Sequence, residues 1–134
     1  MKKLLLVILV FCSFNLFAQD GELDSLLNAL KSSKSDTVKV NLLLSIAKKY
    51  SLTSPESTTD YAIQARELSA KLNYPIGEAK ALKQIGIVYY KKSIYAEAIS
   101  NWLRASEIFD SIKDKEGQNQ NMHQKDCGLR TFEA

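Results

Sequence analysis

The chain contains few of the residues that build disulfide frameworks, metal centres or turn-rich folds, with two Cys, one His, two Pro and five Gly among 134 residues. Two cysteines cannot form a disulfide network or a four-cysteine zinc site, and one histidine leaves little for a histidine-based metal centre. The scarcity of proline and glycine argues against a collagen-like, low-complexity or turn-rich all-β chain. What is present, 46% hydrophobic and 25% charged residues, is the composition of one globular domain.

The N-terminus has the layout of a secretory signal peptide. An apolar run at residues 4–12 follows two lysines, and the small residue Ala18 precedes a polar one. We therefore predict a signal peptide over residues 1–18 and an exported protein, periplasmic or secreted. A retained N-terminal membrane anchor is the alternative, but Asn15 interrupts an apolar run that is already short for a spanning helix of roughly 20 residues.

Cleavage would remove two lysines and no acid, which lowers the formal net charge from +3 to about +1. A nearly neutral mature chain lacks the broad basic surface that nucleic-acid binding needs. No second long apolar run follows residue 20, so no later segment is predicted to span a bilayer. The sequence thus argues against a nucleic-acid partner and against a membrane span after cleavage.

Beyond residue 20 the apolar residues recur at helical spacing, and no long segment alternates with period two. Helix-boundary residues separate the apolar stripes, as where Ser54-Pro55-Glu56 offers an N-cap, a proline at the first helical position and an acid in the first turn. The pattern predicts an all-α chain of five helices joined by short loops. They are expected at about 21–31, 36–51, 55–72, 75–92 and 95–112.

The predicted helices contain an internal repeat, because Ile46-Ala47 and Tyr50 match Ile85-Gly86 and Tyr89 at an offset of 39 residues. The later hairpin resembles a tetratricopeptide repeat over about 34 residues, from Ala79 to Ile112. The residues that carry the resemblance are Leu82, Ile85, Gly86, Tyr89, Tyr90, Tyr95, Glu97, Ala98, Ile99, Trp102 and Ala105. It implies a right-handed α-α superhelix in which paired helices cross at Gly86, Ala98 and Ala105.

The resemblance also suggests a domain organisation. This is a signal peptide at 1–18, a leading or capping helix at 19–34, a degenerate tetratricopeptide-like hairpin at 35–73, a tetratricopeptide hairpin at 74–113 and a polar tail at 114–134. The layout is similar to exported repeat regions of Bacteroidetes-type bacteria. In those relatives such arrays often form the sensor half of a membrane histidine kinase, a cyclase or a DNA-binding regulator.

Two departures from the repeat pattern carry expectations. Ser93-Ile94 replaces the usual Gly-Asp turn. A left-handed conformation at Ser93 would therefore cost about 1 kcal/mol of conformational strain, and Ile94 cannot cap a helix. The apolar stripe stops after Gly117, so residues 118–134 are predicted to be a disordered or partly helical cap, or the product of a shifted reading frame. Because roughly three repeats are normally needed, we expect marginal stability or self-association through the uncapped end.

No pattern of catalytic residues is present. His123 stands alone in the polar tail, and nothing in the sequence near Cys127 would activate its thiol. The carboxylates of Glu56, Glu67, Glu78, Glu97 and Glu107 lie on different helix faces among lysines, as solvated surface residues do. There is no glycine-rich phosphate loop or nucleophile motif. We therefore predict no enzyme, and no catalytic, cofactor or metal site.

The resemblance does imply a binding surface, since the first helix of each hairpin in the family lines a concave groove for an extended peptide or a partner helix. Carried over by position, that face comprises Asn41, Leu44, Lys48, Lys80, Lys83, Gln84, Ile87 and Tyr90. Lys80 and Lys83 suit the family's clamp for a peptide carboxylate, but Ile87 stands where the clamp uses asparagine. An ordinary solvated lysine face is the alternative reading.

The functional prediction is a non-catalytic, exported protein–protein interaction module with a protein or peptide partner. The alternative is the truncated periplasmic sensor region of a membrane histidine kinase or transcriptional regulator.

Overall fold

A computed structural model describes residues 21–113 and 115–133, with the side chains of 115–117 and 132–133 left aside. This part of the chain is all-helical, with six helices and no strand. The helices are α1 (21–32), α2 (Thr37–Tyr50), α3 (Pro55–Lys71), α4 (Pro75–Lys91), α5 (Tyr95–Ser111) and α6 (Lys115–Glu133). The five predicted helices are confirmed to within one residue at each end, and α6 is additional.

The N-termini of α3, α4 and α5 differ in whether a side chain caps the helix. At α3 the Ser54 hydroxyl accepts a hydrogen bond from the backbone N–H of Ser57 at 3.2 Å, and Pro55 is the first helical residue. At α5 the N-cap residue is Ile94, which makes no side-chain capping bond, as expected. Pro75 also begins a helix, but its N-cap residue Tyr74 provides no side-chain bond. The Asn73-Tyr74-Pro75 segment is therefore not capped as Ser54-Pro55-Glu56 is.

Three tight turns connect α3 to α6, and each contains a non-glycine residue in the left-handed region. These are Asn73, Ser93 and Lys113, with φ values of 49°, 61° and 57°, spaced 20 residues apart. In the first two turns the next N–H donates back to the end of the preceding helix, from Tyr74 to the Ser69 carbonyl and from Ile94 to the Tyr89 carbonyl, each at 2.9 Å. This is the Schellman arrangement, which returns the chain along the helix just completed.

Ser93→Gly is expected to raise the free energy of unfolding by about 1 kcal/mol, because glycine takes a positive φ without the clash between Cβ and the carbonyl oxygen. The observed φ of 61° agrees with the left-handed conformation anticipated for this residue. Thermal unfolding followed by circular dichroism should show a rise in Tm of roughly 4 °C. The matched control is Ser100→Gly, at an exposed position inside α5, which should instead lose about 0.5 kcal/mol. A fall in Tm for both variants would contradict the assignment of strain to Ser93.

Consecutive helices pack against each other from α2 to α6, and α4 also contacts α2 and α6. The core therefore extends along the stack instead of surrounding one centre. One buried cluster contains Val40, Leu43, Leu44, Ala65 and Ala81, and another contains Ala79, Leu82, Ala105 and Phe109. Several alanines at the contacts are completely buried, which lets the helix backbones approach closely.

Residues 115–133, within the predicted polar tail at 114–134, form the helix α6, which packs against α5. A partly helical cap was one of the alternatives given for this segment. Among residues 118–131, whose side chains are described, the buried ones are the polar Asn121 and the small Gly128. Asn121 is fully buried and its Nδ2 donates to the Trp102 carbonyl at 2.5 Å, and Gly128 is buried against the Trp102 ring. A shifted reading frame stays a prediction, as does self-association, for which the exposed end is now α6, with Met122 and Leu129 on its surface.

The predicted signal peptide at 1–18 lies outside the described residues. Within residues 21–113 and 115–133, no helix combines the length and the apolar character needed to cross a membrane.

Candidate functional site

A groove of about 580 Å³ is lined by residues of α2, α4 and α6. Six of the eight predicted residues line it, namely Leu44, Lys48, Lys80, Lys83, Gln84 and Ile87. Asn41 and Tyr90 do not. Lys91 of α4, Ser51 after α2, and Gln120 and Gln124 of α6 also line the groove.

Helical spacing explains why the lining residues share one side. Lys80, Lys83, Ile87 and Lys91 recur at intervals of three or four along α4, so their side chains lie on one face of that helix. The buried residues of α4, such as Leu82, occupy other faces and pack into the core. The groove face is therefore free to carry polar and charged side chains without a loss of core packing.

Hydrogen bonds join α4 to α2 at two levels and fix the floor of the groove. The Gln84 side-chain Nε2 donates to the Leu44 carbonyl at 3.0 Å, and Lys91 Nζ donates to the Ser51 carbonyl at 2.6 Å. Gln84 and Lys91 lie two turns apart on α4, so the two bonds hold the helices at separate points. A groove fixed in this way loses little conformational entropy when a ligand binds.

The third wall comes from α6, which the sequence pattern did not reveal. Lys83 Nζ donates to Gln120 Oε1 at 2.7 Å, and this bond links α4 to α6. Gln124 lies one turn after Gln120 and also lines the groove. The available signal was the spacing of Asn121, Gln124 and Gly128, which is helical but consists of polar and small residues.

Tyr90 is placed differently from the prediction, because α6 covers it. Its ring lies 5.6 Å from the Tyr95 ring and 5.8 Å from that of Trp102, measured between centroids. Its hydroxyl is 3.5 Å from Cys127 Sγ and 3.3 Å from Thr131 Oγ1, both on α6. Tyr90 is thus part of the α4–α5–α6 contact. Asn41 is exposed on α2, one turn before Leu44, and lies beyond the lined part of the groove.

The groove carries positive charge. Its lysines are Lys48, Lys80, Lys83 and Lys91, and no described acidic residue lines it. The two ion pairs among the described residues instead involve the sequence neighbours of two groove lysines, with Lys49 bound to Glu22 at 2.5 Å and Lys92 bound to Glu56 at 3.5 Å. In each of the pairs Lys48-Lys49 and Lys91-Lys92, one lysine lines the groove and its neighbour forms an ion pair outside it.

The remaining candidate residues lie apart from the groove. His123 and Cys127 are exposed on α6, and Glu56 is engaged with Lys92. Over the ranges that the structure describes, no three His, Cys, Asp or Glu side chains are grouped so that they could hold a metal ion. The groove is the feature on which a functional proposal can rest.

No protein-family model, curated protein or solved structure matches this chain significantly.

Proposed function

We propose that this chain is a non-catalytic, exported protein-interaction module whose groove binds an extended segment of another protein. The observation that carries the proposal is the convergence of six predicted residues from α2 and α4 on one groove, with α6 as its third wall. A groove volume of about 580 Å³ falls within the range of sites that enclose small ligands or a few residues of a peptide.

The proposal includes a tetratricopeptide-like, right-handed superhelix. It is supported by the sequential packing of α2 to α6 and by the additional contacts of α4 with α2 and α6. It is also supported by the burial of Gly86, Ala98 and Ala105, the small residues that the resemblance places at helix crossings. In this arrangement α6 takes the place of the first helix of a further hairpin.

The groove combines apolar and polar features that suit an extended peptide. Ile87, which is half-buried, offers apolar surface between the lysines, where a ligand side chain can be buried. The hydrogen bonds of Gln84 and Lys91 already hold α2 and α4 together, so binding does not have to order these helices.

The second candidate is the truncated periplasmic sensor region of a membrane histidine kinase or transcriptional regulator. It is favoured by the exposed apolar residues of α6, since Met122 and Leu129 are 50% and 38% exposed and would suit a following helix. An open reading frame directly downstream that encodes a spanning helix and an output domain would support this candidate. Unrelated downstream DNA would argue against it.

Selection from a random peptide library tests the groove directly. We expect peptides of about 12 residues, which reach about 40 Å when extended, to be enriched on the immobilised protein. Ile87→Trp fills the middle of the groove and should weaken the selected peptides by at least about tenfold. Val38→Trp is the matched control, because Val38 is 60% exposed on α2 and does not line the groove. Failure to enrich any peptide, or equal binding by the Ile87→Trp variant, would contradict the proposal.

A further inference from the structure

We infer that the segment bound by the groove is acidic, an extended peptide whose Asp or Glu side chains meet Lys80 and Lys91 of α4. This inference rests on the proposed function and adds the chemical class of the ligand. Lys80 lies near the start of α4 and Lys91 is its last residue, and both line the groove. Lys48 adds a third cation from α2.

The distance between the lysines defines the spacing of the acids. Lys80 and Lys91 are eleven residues apart on one helix, which corresponds to a rise of about 16 Å. One carboxylate or phosphate group cannot contact lysines so far apart, but an extended peptide covers that distance in about five residues. The expected ligand therefore has two acidic positions roughly four to six residues apart.

The middle of the groove defines what lies between the acids. Ile87 is half-buried and lies between Lys80 and Lys91 on the same face of α4. An apolar ligand side chain at this point would remove apolar surface from water on both partners. The ligand pattern is thus acidic, then apolar, then acidic.

No carboxylate among the described side chains pairs with Lys48, Lys80 or Lys91. Lys48 and Lys80 take part in neither of the two ion pairs found there, and Lys91 donates to a carbonyl oxygen instead of an acid. Like charges gathered on a concave surface raise the local positive potential, and an anionic ligand lowers it. A neutral or basic segment would leave this repulsion in place.

The test uses three fluorescently labelled peptides with the same apolar centre and with Glu, Gln or Lys at the flanking positions. Fluorescence anisotropy should show the Glu peptide binding at least about tenfold more tightly than the Gln peptide, and the Lys peptide more weakly than either. The preference should shrink as salt is raised, because the lysines are accessible to solvent ions.

Two double variants separate groove contacts from the overall charge of the protein. Lys48→Gln with Lys80→Gln should weaken the Glu peptide by about five- to tenfold and leave the Gln peptide unchanged. Lys34→Gln with Lys71→Gln removes the same charge from exposed positions outside the groove and should change the affinity less than about twofold. Circular dichroism spectra should show that both variants keep the helical fold.

The outcomes distinguish this inference from the proposed function. Equal binding of the Glu and Gln peptides, with both lost on Ile87→Trp, would overturn the acidic preference and leave the groove as a peptide site. Equal losses in the two double variants would overturn it by assigning the effect to net charge. Inorganic polyphosphate binding more tightly than the Glu peptide would also overturn it, in favour of a general polyanion site. If no peptide binds, the proposed function itself fails.

Discussion

Trp102→Ala is expected to lower the free energy of unfolding by about 3–5 kcal/mol, which is the usual loss when a large aromatic side chain is removed from a core. Trp102 is 2% exposed and lies between Gly86 of α4 and Gly128 of α6. Its indole Nε1 donates to the Lys83 carbonyl at 3.2 Å, so truncation also leaves this carbonyl without that donor. Three helices thus lose a shared contact through one substitution.

A loss of this size is a large share of the 5–15 kcal/mol that typically stabilises a domain, so the variant should unfold at a much lower urea concentration. Urea unfolding followed by far-ultraviolet circular dichroism measures it without the tryptophan signal. The control is Leu103→Ala, because Leu103 is the next residue along α5 and is 45% exposed. It should lose less than about 1 kcal/mol. Similar losses in the two variants would refute the central packing role of Trp102.

Gly86→Ala is expected to lower the free energy of unfolding by about 1–3 kcal/mol, although alanine is the better helix former by about 1 kcal/mol. A Cβ at residue 86 would overlap the Trp102 indole, lying against Nε1 and 2.6 Å from Cδ1. The ring has little room to move, because Gly128 packs on its other side. The strain therefore has to separate α4 from α5.

Gly21→Ala is the matched control, since a Cβ there meets nothing within 4 Å and should be neutral or slightly stabilising. Chemical denaturation should therefore show a lower free energy of unfolding for Gly86→Ala and an equal or slightly higher one for Gly21→Ala. A double-mutant cycle identifies the cause, because Gly86→Ala should cost little in a Trp102→Ala background, where the overlapping ring is gone. A full, additive loss in that background would show that the strain arises elsewhere.

The first five helices could be predicted well because the residues at their ends and the apolar stripes along them indicate the same boundaries. The apolar stripes mark the buried faces, and residues such as Ser54 and Pro55 mark the ends by satisfying or omitting backbone donors. The eight residues of the predicted binding face came from the resemblance to a tetratricopeptide repeat, and six of them line the groove. Agreement between levels of this kind is what makes a prediction from one sequence reliable.

The last helix could not be predicted from hydrophobic pattern, because its docking face is chemically atypical. Asn121 reaches the Trp102 carbonyl by hydrogen bonding, and Gly128 lets the backbone approach the ring. Such contacts depend on the shape of the neighbouring helix and on the position of its carbonyl groups, which a hydrophobic pattern does not show. The sequence placed Tyr90 on the binding face for the same reason. Its contacts with Cys127 and Thr131 exist only when α6 is present.

The turns at Asn73, Ser93 and Lys113 also bear on how a chain of this kind can change in length. They recur at 20-residue intervals with φ values of 49°, 61° and 57°, so one left-handed residue stands two positions after the last residue of each of α3, α4 and α5. Duplication of residues 74–113 would therefore place the left-handed Lys113 directly before a second copy of Tyr74, as Asn73 is now, and deletion would leave Asn73 where Lys113 stood. Gene duplication can thus extend or shorten the stack in whole hairpins while each new junction keeps a conformation that the chain already uses.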